Sequence, residues 1–492
     1  MTDTQTPPTD AIATETTTKA RTKTVKTNLT IAEAAAALRS GTLTSTELTR
    51  TILDRALALN AALGAYVVIT EDAAMQQAQA ADADFAAGID NGPLQGIPLA
   101  IKDIIAMKGA PTTANSRVLA ADWGFDTDAP VTARLRSAGA VFVGKSTTSE
   151  FALGLPDADK GFPVPHNPWN VAHTPAGSSS GTGVATAAQL ALGGLGTDTG
   201  GSVRGPACVN GHTGLKVTFG RVPKNGVVPL GFSLDSIGPM ARSALDCALL
   251  LEQMAGHDAG DPNAAKTDVP KYSELLSGGV EGLKIALPVP YFFENEALDP
   301  EQRAAVLAAV SQLVGLGATS DEIVLDHAAE AKDANHIILV AEAYAYHRNN
   351  LVTRWQDYGR FTRPSLGRGA LYSAGDYAQA SRFRTFWSEQ IARVLGEYDV
   401  IITPSAPTPA ERADEMDASS RLAKPSYTGH WNLCGLPAVA VPVGLSSAGL
   451  PLSMQVIGKP FAEATVLRVA HTLQQITEHH LLVPPVEQFL AS

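Results

Sequence analysis

The sequence predicts an α/β fold in one large domain built on a mixed β-sheet. Three observations carry this. Short apolar runs, several of them β-branched, are interleaved with segments of helical periodicity. No tandem repeat and no Pro/Gly/Ser linker divides the ordered part, residues 29–492. Of the 492 residues, 45% are apolar and 17% charged, low against about 25% charged for an average globular chain, so a large core can be buried.

Residues 1–28 are mostly Thr, Pro, Ala and Lys, and after Met1 only Ile12 and Val25 are sizeable apolar side chains. Such a segment cannot bury enough apolar surface to offset its ordering entropy, and a disordered tail is expected. Thr30-Ile-Ala-Glu33 and Thr44-Ser-Thr-Glu47 fit the capping box that opens a helix. After the second, Leu48, Ile52, Ala56 and Leu59 recur at helical spacing. Asp299-Pro300 before Glu301 and Gln302 marks a further helix start. Strands are expected over Ile97–Ile105, Ala140–Val143, Leu190–Leu195, Val400–Ile402 and Ala438–Val443. Residues 262–400 look more helical and hold many of the large aromatics, which predicts a cap-like region over a pocket.

Composition excludes several function classes. Acidic residues number 49 and basic residues 37, a net charge of −12, so neither a nucleic-acid partner nor an anionic membrane surface is expected. No run reaches the ~18 apolar residues of a membrane helix, and no apolar secretory segment opens the chain. Three Cys, at 208, 247 and 434, do not make a disulfide framework and suit a reducing, cytoplasmic location. The 11 His form no His-x-x-x-His pair and there is no Cys-x-x-Cys, so neither metal nor cofactor is expected.

The densest block of small residues lies at 175–205. It lacks the Lys of a phosphate loop and the third Gly of a dinucleotide fingerprint. Gly177-Ser-Ser179-Ser-Gly181 spells a nucleophile elbow, but an elbow follows a strand, and the preceding His166–Pro175 carries two Pro. The alternative uses both Gly-flanked segments. Ser178 would open a helix, and Thr199-Gly200-Gly201-Ser202 would turn so that backbone N–H groups converge beside a Ser, as an oxyanion hole requires. A base is still needed, and Lys102 sits in the apolar run Pro-Leu-Ala-Ile-Lys102-Asp-Ile-Ile. Burial disfavours an ammonium, so such a Lys can act as a base. The bland alternative is a salt bridge to Asp103 or another carboxylate, although alternation along a strand turns Asp103 to the opposite face.

These residues resemble the amidase signature family. The match runs from Gly177-Ser-Ser-Ser-Gly181 through Thr197-Asp-Thr-Gly-Gly-Ser-Val-Arg-Gly-Pro206 to Ser233-Leu-Asp-Ser-Ile-Gly-Pro-Met-Ala-Arg242. Gly96-Ile-Pro-Leu-Ala-Ile-Lys-Asp103 and Gly144-Lys-Ser-Thr-Thr-Ser-Glu-Phe151 fit upstream, and Asn432-Leu-Cys-Gly-Leu-Pro437 fits downstream. The resemblance implies a twisted mixed sheet of about eleven strands wrapped by helices. It implies a Ser-Ser-Lys triad in which Ser202 is the nucleophile, Ser178 the bridging Ser after a cis peptide, and Lys102 the base. The N–H groups of Thr199, Gly200, Gly201 and Ser202 are the implied oxyanion hole. The family usually writes Gly-Gly-Ser-Ser-Gly-Gly where this chain has Ala176-Gly-Ser-Ser-Ser-Gly181, and the Ser180 change lies outside the triad.

The expected activity is therefore hydrolysis of a small-molecule carboxylic amide, neutral and fairly apolar, with esters and carbamates as side substrates. A urethane hydrolase is its sharpest variant. The glutaminase subunit of a tRNA amidotransferase is a second reading; that subgroup holds the amino group of glutamine with an acid, whereas the corresponding place here is Pro425 and no acid occurs between Arg421 and Asn432. An inactive binding or scaffold subunit is a third, disfavoured by the intact triad positions. A homodimer is left open for the first reading. Phe162, Trp169, Tyr344, Tyr346, Trp355, Phe361, Tyr372 and Trp431 are the candidates for an apolar pocket wall, with core packing as the alternative for each.

Overall fold

A computed structural model of the chain describes residue 1 and residues 26–156, 158–416 and 424–489. The tail expected over 1–28 therefore lies, for residues 2–25, outside the described residues. The strands are β1 (Tyr66–Ile69), β2 (Pro98–Lys102), β3 (Val141–Ser146), β4 (Gly193–Asp198), β5 (Thr213–Lys216), β6 (Ser236–Ala241), β7 (Lys284–Pro288), β8 (Thr319–Ile323), β9 (Val400–Pro404), β10 (Ala438–Leu445) and β11 (Pro451–Gly458). They form one 11-stranded sheet in the order β1-β3-β2-β4-β6-β5-β10-β11-β9-β7-β8. β2 is parallel to β3 and β4, and β7 is parallel to β8 and β9. The strands between pair antiparallel, so the sheet is mixed, as expected. β2, β4, β5, β6 and β11 are buried along their whole length, whereas β8 at one edge is largely exposed. Helices cover both faces, and the result is a single domain around one dominant hydrophobic core.

The helix starts follow the chemistry of their caps. Thr30 accepts from the Glu33 N–H and Thr44 from the Glu47 N–H, each with the reciprocal Glu contact, opening Ile31–Arg39 and Ser45–Leu63. Asp299 caps Pro300–Gly315 through the amides of Glu301 and Gln302.

Strand ends differ from expectation at two places that matter for the site. The run expected to continue to Ile105 ends at Lys102, because the amides of Ile104 and Ile105 turn back onto the Lys102 carbonyl at 2.8 and 3.0 Å. The strand expected over Leu190–Leu195 is instead β4, Gly193–Asp198. Glycine has low strand propensity, so the pattern of apolar residues points too early. The glycines serve close approach: a Cβ on Gly194 would lie 2.3 Å from the Ala100 carbonyl oxygen of β2.

Within residues 262–400, the helices Pro300–Gly315, Ala328–Arg354 and Ala374–Glu397 predominate. Among the described residues, no helix is long and apolar enough to cross a membrane.

Candidate active site

β2 delivers Lys102 into the protein interior at its last residue. The side chain is fully buried, and its Nζ lies 2.7 Å from Ser178 Oγ and 2.8 Å from Thr197 Oγ1. Burial pushes the Lys102 ammonium down to about 7, an effect only partly opposed by the carboxylates of Asp235 and Asp198. Two other lysines are equally buried. Lys145 is held by Thr112 Oγ1 at 2.5 Å and by Asp103 at 3.2 Å, and Lys216 by the carbonyls of Leu436 and Val217. Of the three, Lys102 alone reaches a hydroxyl that faces a cavity. Asp103 pairs with Lys145 instead, and among the described residues Lys102 makes no salt bridge.

Ser178 does not open a helix, contrary to expectation. The helix runs Ser180–Ala187 with Ser179 before it. The Gly177–Ser178 peptide is cis, and the Ser178 carbonyl accepts from Thr148 Oγ1 at 2.9 Å and from the Ser149 amide at 3.2 Å. That carbonyl is thereby held on the 148–149 segment rather than on the helix. Ser179 is fully buried and its Oγ is tied to Thr197, accepting from the Thr197 amide at 3.2 Å and lying 3.3 Å from its carbonyl. The elbow serine is thus a structural tie without access to a substrate.

Ser202 follows β4 in the Thr199–Ser202 turn. Its carbonyl accepts from the Ser179 amide at 3.2 Å, which holds the turn against the start of the Ser180–Ala187 helix. Among the described residues, the amides of Thr199, Gly200 and Ser202 make no hydrogen bond. The Gly201 amide differs from the expected oxyanion hole: it donates to Asp198 Oδ1 at 2.8 Å. Gly201 sits at φ +130°, and a Cβ there would lie 2.2 Å from Thr428 Oγ1.

Asp198 and Arg204 organise the turn, and sequence reasoning assigned neither. The two are fully buried and paired at 2.9 Å. The carboxylate also accepts from the amides of Gly201, Val203 and Arg204 and from Asn432 Nδ2. Burial alone would push Asp198 up, but the Arg204 guanidinium overcomes it and holds the carboxyl well below the usual range. Thr197, the second partner of Lys102, was also missed; its only sequence signal is alternation along β4 next to the Gly-rich turn.

A cavity of about 580 Å³ exposes these groups. Ser178, Gly200, Gly201 and Ser202 form one wall, and the helix Ala328–Arg354 contributes another through Asn335, His336, Leu339 and Val340. Of the eight aromatics proposed from the sequence, Tyr372 lines it; Trp431 instead is core, its indole N–H donating to the Tyr427 carbonyl at 2.9 Å. Trp169 packs in a separate cluster with Cys208 and Val209. Apolar lining comes largely from smaller side chains such as Leu153, Leu230 and Ala406, which carry no distinctive sequence signal. Among the described residues, no group of three or more His, Cys, Asp or Glu could hold a metal ion.

A mixed sheet that brings a buried lysine against a serine, beside a glycine turn with open amides, is the architecture of an amide hydrolase. The amidase family profile matches residues 47–467, and the chain belongs to that family. It is a hydrolase acting on C–N amide bonds. It is 39% identical over 479 residues to the glutamyl-tRNA(Gln) amidotransferase A-subunit of Geobacter metallireducens, covering 92% of this chain and 98% of that relative. Among solved structures it is similar to the peptide amidase of Stenotrophomonas maltophilia, with a TM-score of 0.81 and 29% identity over 91% of this chain and 97% of that one. The glutamyl-tRNA(Gln) amidotransferase A-subunit of Thermotoga maritima gives a TM-score of 0.79 and 28% identity over 94% of this chain and 98% of that one.

Proposed function

We propose that the chain hydrolyses a carboxylic amide through an acyl-enzyme on Ser202, with Ser178 and Lys102 moving the proton. The observation that carries this is the 2.7 Å contact between the buried Lys102 Nζ and Ser178 Oγ at the cavity wall. Neutral Lys102 draws a proton through Ser178 as Ser202 Oγ attacks the acyl carbon. The amides of Thr199, Gly200 and Ser202 receive the oxyanion; Gly201 holds the turn through Asp198 instead. Ser178 returns the proton to the leaving amine, and water repeats the sequence on the acyl-enzyme.

The substrate we propose is a neutral, fairly apolar amide, aryl amides in particular, with esters and carbamates, urethanes included, as slower substrates. Leu153, Leu230, Leu339 and Ala406 supply its apolar wall. Pro425 lines the cavity where an acid would be needed for an α-amino group. Among the described residues, the carboxylates that line it are Glu411 and Asp333, which stand 2.9 Å from Lys424 and 3.6 Å from Lys332.

A second reading, the glutaminase component of an amidotransferase working with partner subunits, is favoured by two observations. One is the 39% identity to a protein of that name. The other is Arg368, which lines the cavity without a hydrogen-bond or ion-pair partner among the described residues and would suit a carboxylate. Initial rates on benzanilide, benzamide, phenyl carbamates, aryl esters and free glutamine separate the two. Turnover of the anilide with glutamine untouched supports the first reading; efficient glutamine turnover with anilides untouched replaces it by the second.

A further inference from the structure

The turn that presents the open amides contains two consecutive glycines, Gly200 and Gly201. Neither has a Cβ, so the four torsions that set the Gly200 N–H and the Ser202 N–H relative to each other are loosely restrained by the chain itself. An oxyanion hole works only when its donors are aimed before the charge develops. The aim must therefore come from outside the turn.

The peptide bonds of the turn are trans and planar, so each carbonyl points opposite to the N–H of the next residue. Tying a carbonyl thus aims the amide that shares its plane. The central unit, Gly200–Gly201, is held on both edges. Its N–H donates to Asp198 Oδ1 at 2.8 Å, and its carbonyl accepts from Thr428 Oγ1 at 2.6 Å. On either side, the Thr199 carbonyl accepts from Asn335 Nδ2 at 3.4 Å and the Gly201 carbonyl from the Gly205 amide at 2.7 Å.

Thr428 is itself fixed. Its carbonyl accepts from Arg204 Nη1 at 3.0 Å and from the Trp431 amide at 3.2 Å. The same guanidinium pairs with Asp198 at 2.9 Å, so one buried cation ties together the two groups that grip the central unit. Thr428 is 8% exposed, at the cavity wall beside Gly200, Gly201 and Ser202.

We infer that Thr428 is a positioning residue for the oxyanion hole: its hydroxyl fixes the Gly200–Gly201 peptide and, through it, the aim of the Gly200 and Ser202 amides. It acts through the turn and not on the reacting atoms. The inference rests on the acyl-enzyme chemistry proposed above.

Thr428→Val in the full chain replaces the hydroxyl by a methyl of similar size, and Thr428→Ser keeps the hydroxyl. On one anilide, Thr428→Val should lower kcat about 10- to 100-fold with KM within about threefold of the parent, and Thr428→Ser should restore kcat to within about threefold. Phenylboronic acid adds to a serine as a tetrahedral anion and supplies a readout that a packing role would not move. Its inhibition constant should rise in Thr428→Val by the factor by which kcat/KM falls, and return in Thr428→Ser. Thr428→Ala gives the same comparison if the valine variant does not fold. Should the parent turn over glutamine and not anilides, the same constants are read on glutamine. The inference is overturned by a kcat within about threefold of the parent in the variants that lack the hydroxyl, by a boronate constant that stays put while kcat falls, or by a Thr428→Ser protein as impaired as Thr428→Val. Activity that survives in Ser202→Ala is a different failure: it removes the acyl-enzyme itself, whatever the Thr428 variants do.

Discussion

Replacing Lys102 tests whether a neutral amine drives the chemistry. At pH 7 an ordinary lysine, with its value of 10.5, is deprotonated in only ~0.03% of molecules. With Lys102 pushed down to about 7, about half of the molecules carry the free base, a gain of roughly a thousandfold. The sign is that of a lowered amine: the active, neutral form predominates above about pH 7 and is lost below it. Below that pH, kcat/KM on an anilide should fall about tenfold per pH unit; above it the rate should level off. Lys102→Arg should lose about three or more orders of magnitude in kcat at every pH, because a guanidinium does not release its proton. Folding is controlled with Lys102→Met. A buried amine whose folded value lies below its unfolded value costs stability, in full below about pH 7 and vanishing above 10.5. That cost is on the order of 5 kcal/mol, against two hydrogen bonds of roughly 1 kcal/mol each, so at pH 6 Lys102→Met should melt no lower than the parent. A profile flat from pH 5.5 to 9, or an active Lys102→Arg protein, would rule out a neutral Lys102 as the base.

Other substitutions probe the turn and the specificity. Asp198→Asn leaves the Arg204 guanidinium buried without its counter-charge and should cost about 3–5 kcal/mol in urea unfolding, with loss of activity in the folded fraction. Gly201→Ala places a Cβ 2.2 Å from Thr428 Oγ1 at a φ of +130°, and the displaced turn should lower kcat by about 100-fold or more, read as kcat against KM on one anilide. Arg368→Ala should leave anilide turnover unchanged, since a neutral apolar substrate makes no demand on its charge; a large rise in KM for the anilide would count against that substrate class.

Lys102 was readable because a lysine inside an apolar run has few other uses, and the caps at Thr30, Thr44 and Asp299 were readable because capping is local. The start of β4 was not, since its glycines serve contact with β2 rather than strand propensity. Nor was the role of the Gly201 amide: the Asp198 carboxylate reaches over the turn only once Arg204 and Asn432 fold against it. The pocket wall escaped because large aromatics pack as readily into the core, as Trp431 does, while Leu and Ala lining residues look like any others.

The proposed chemistry stands or falls on Ser202 carrying the acyl group, and peptide mapping after reaction with an aryl sulfonyl fluoride reads this out at the residue itself. One adduct per chain is expected, on Ser202, formed in step with loss of activity. No adduct is expected in the Ser202→Ala protein, which itself should fall by about 3–6 orders of magnitude in kcat. An adduct on Ser179, or a Ser202→Ala protein that keeps its activity, would contradict an acyl-enzyme on Ser202.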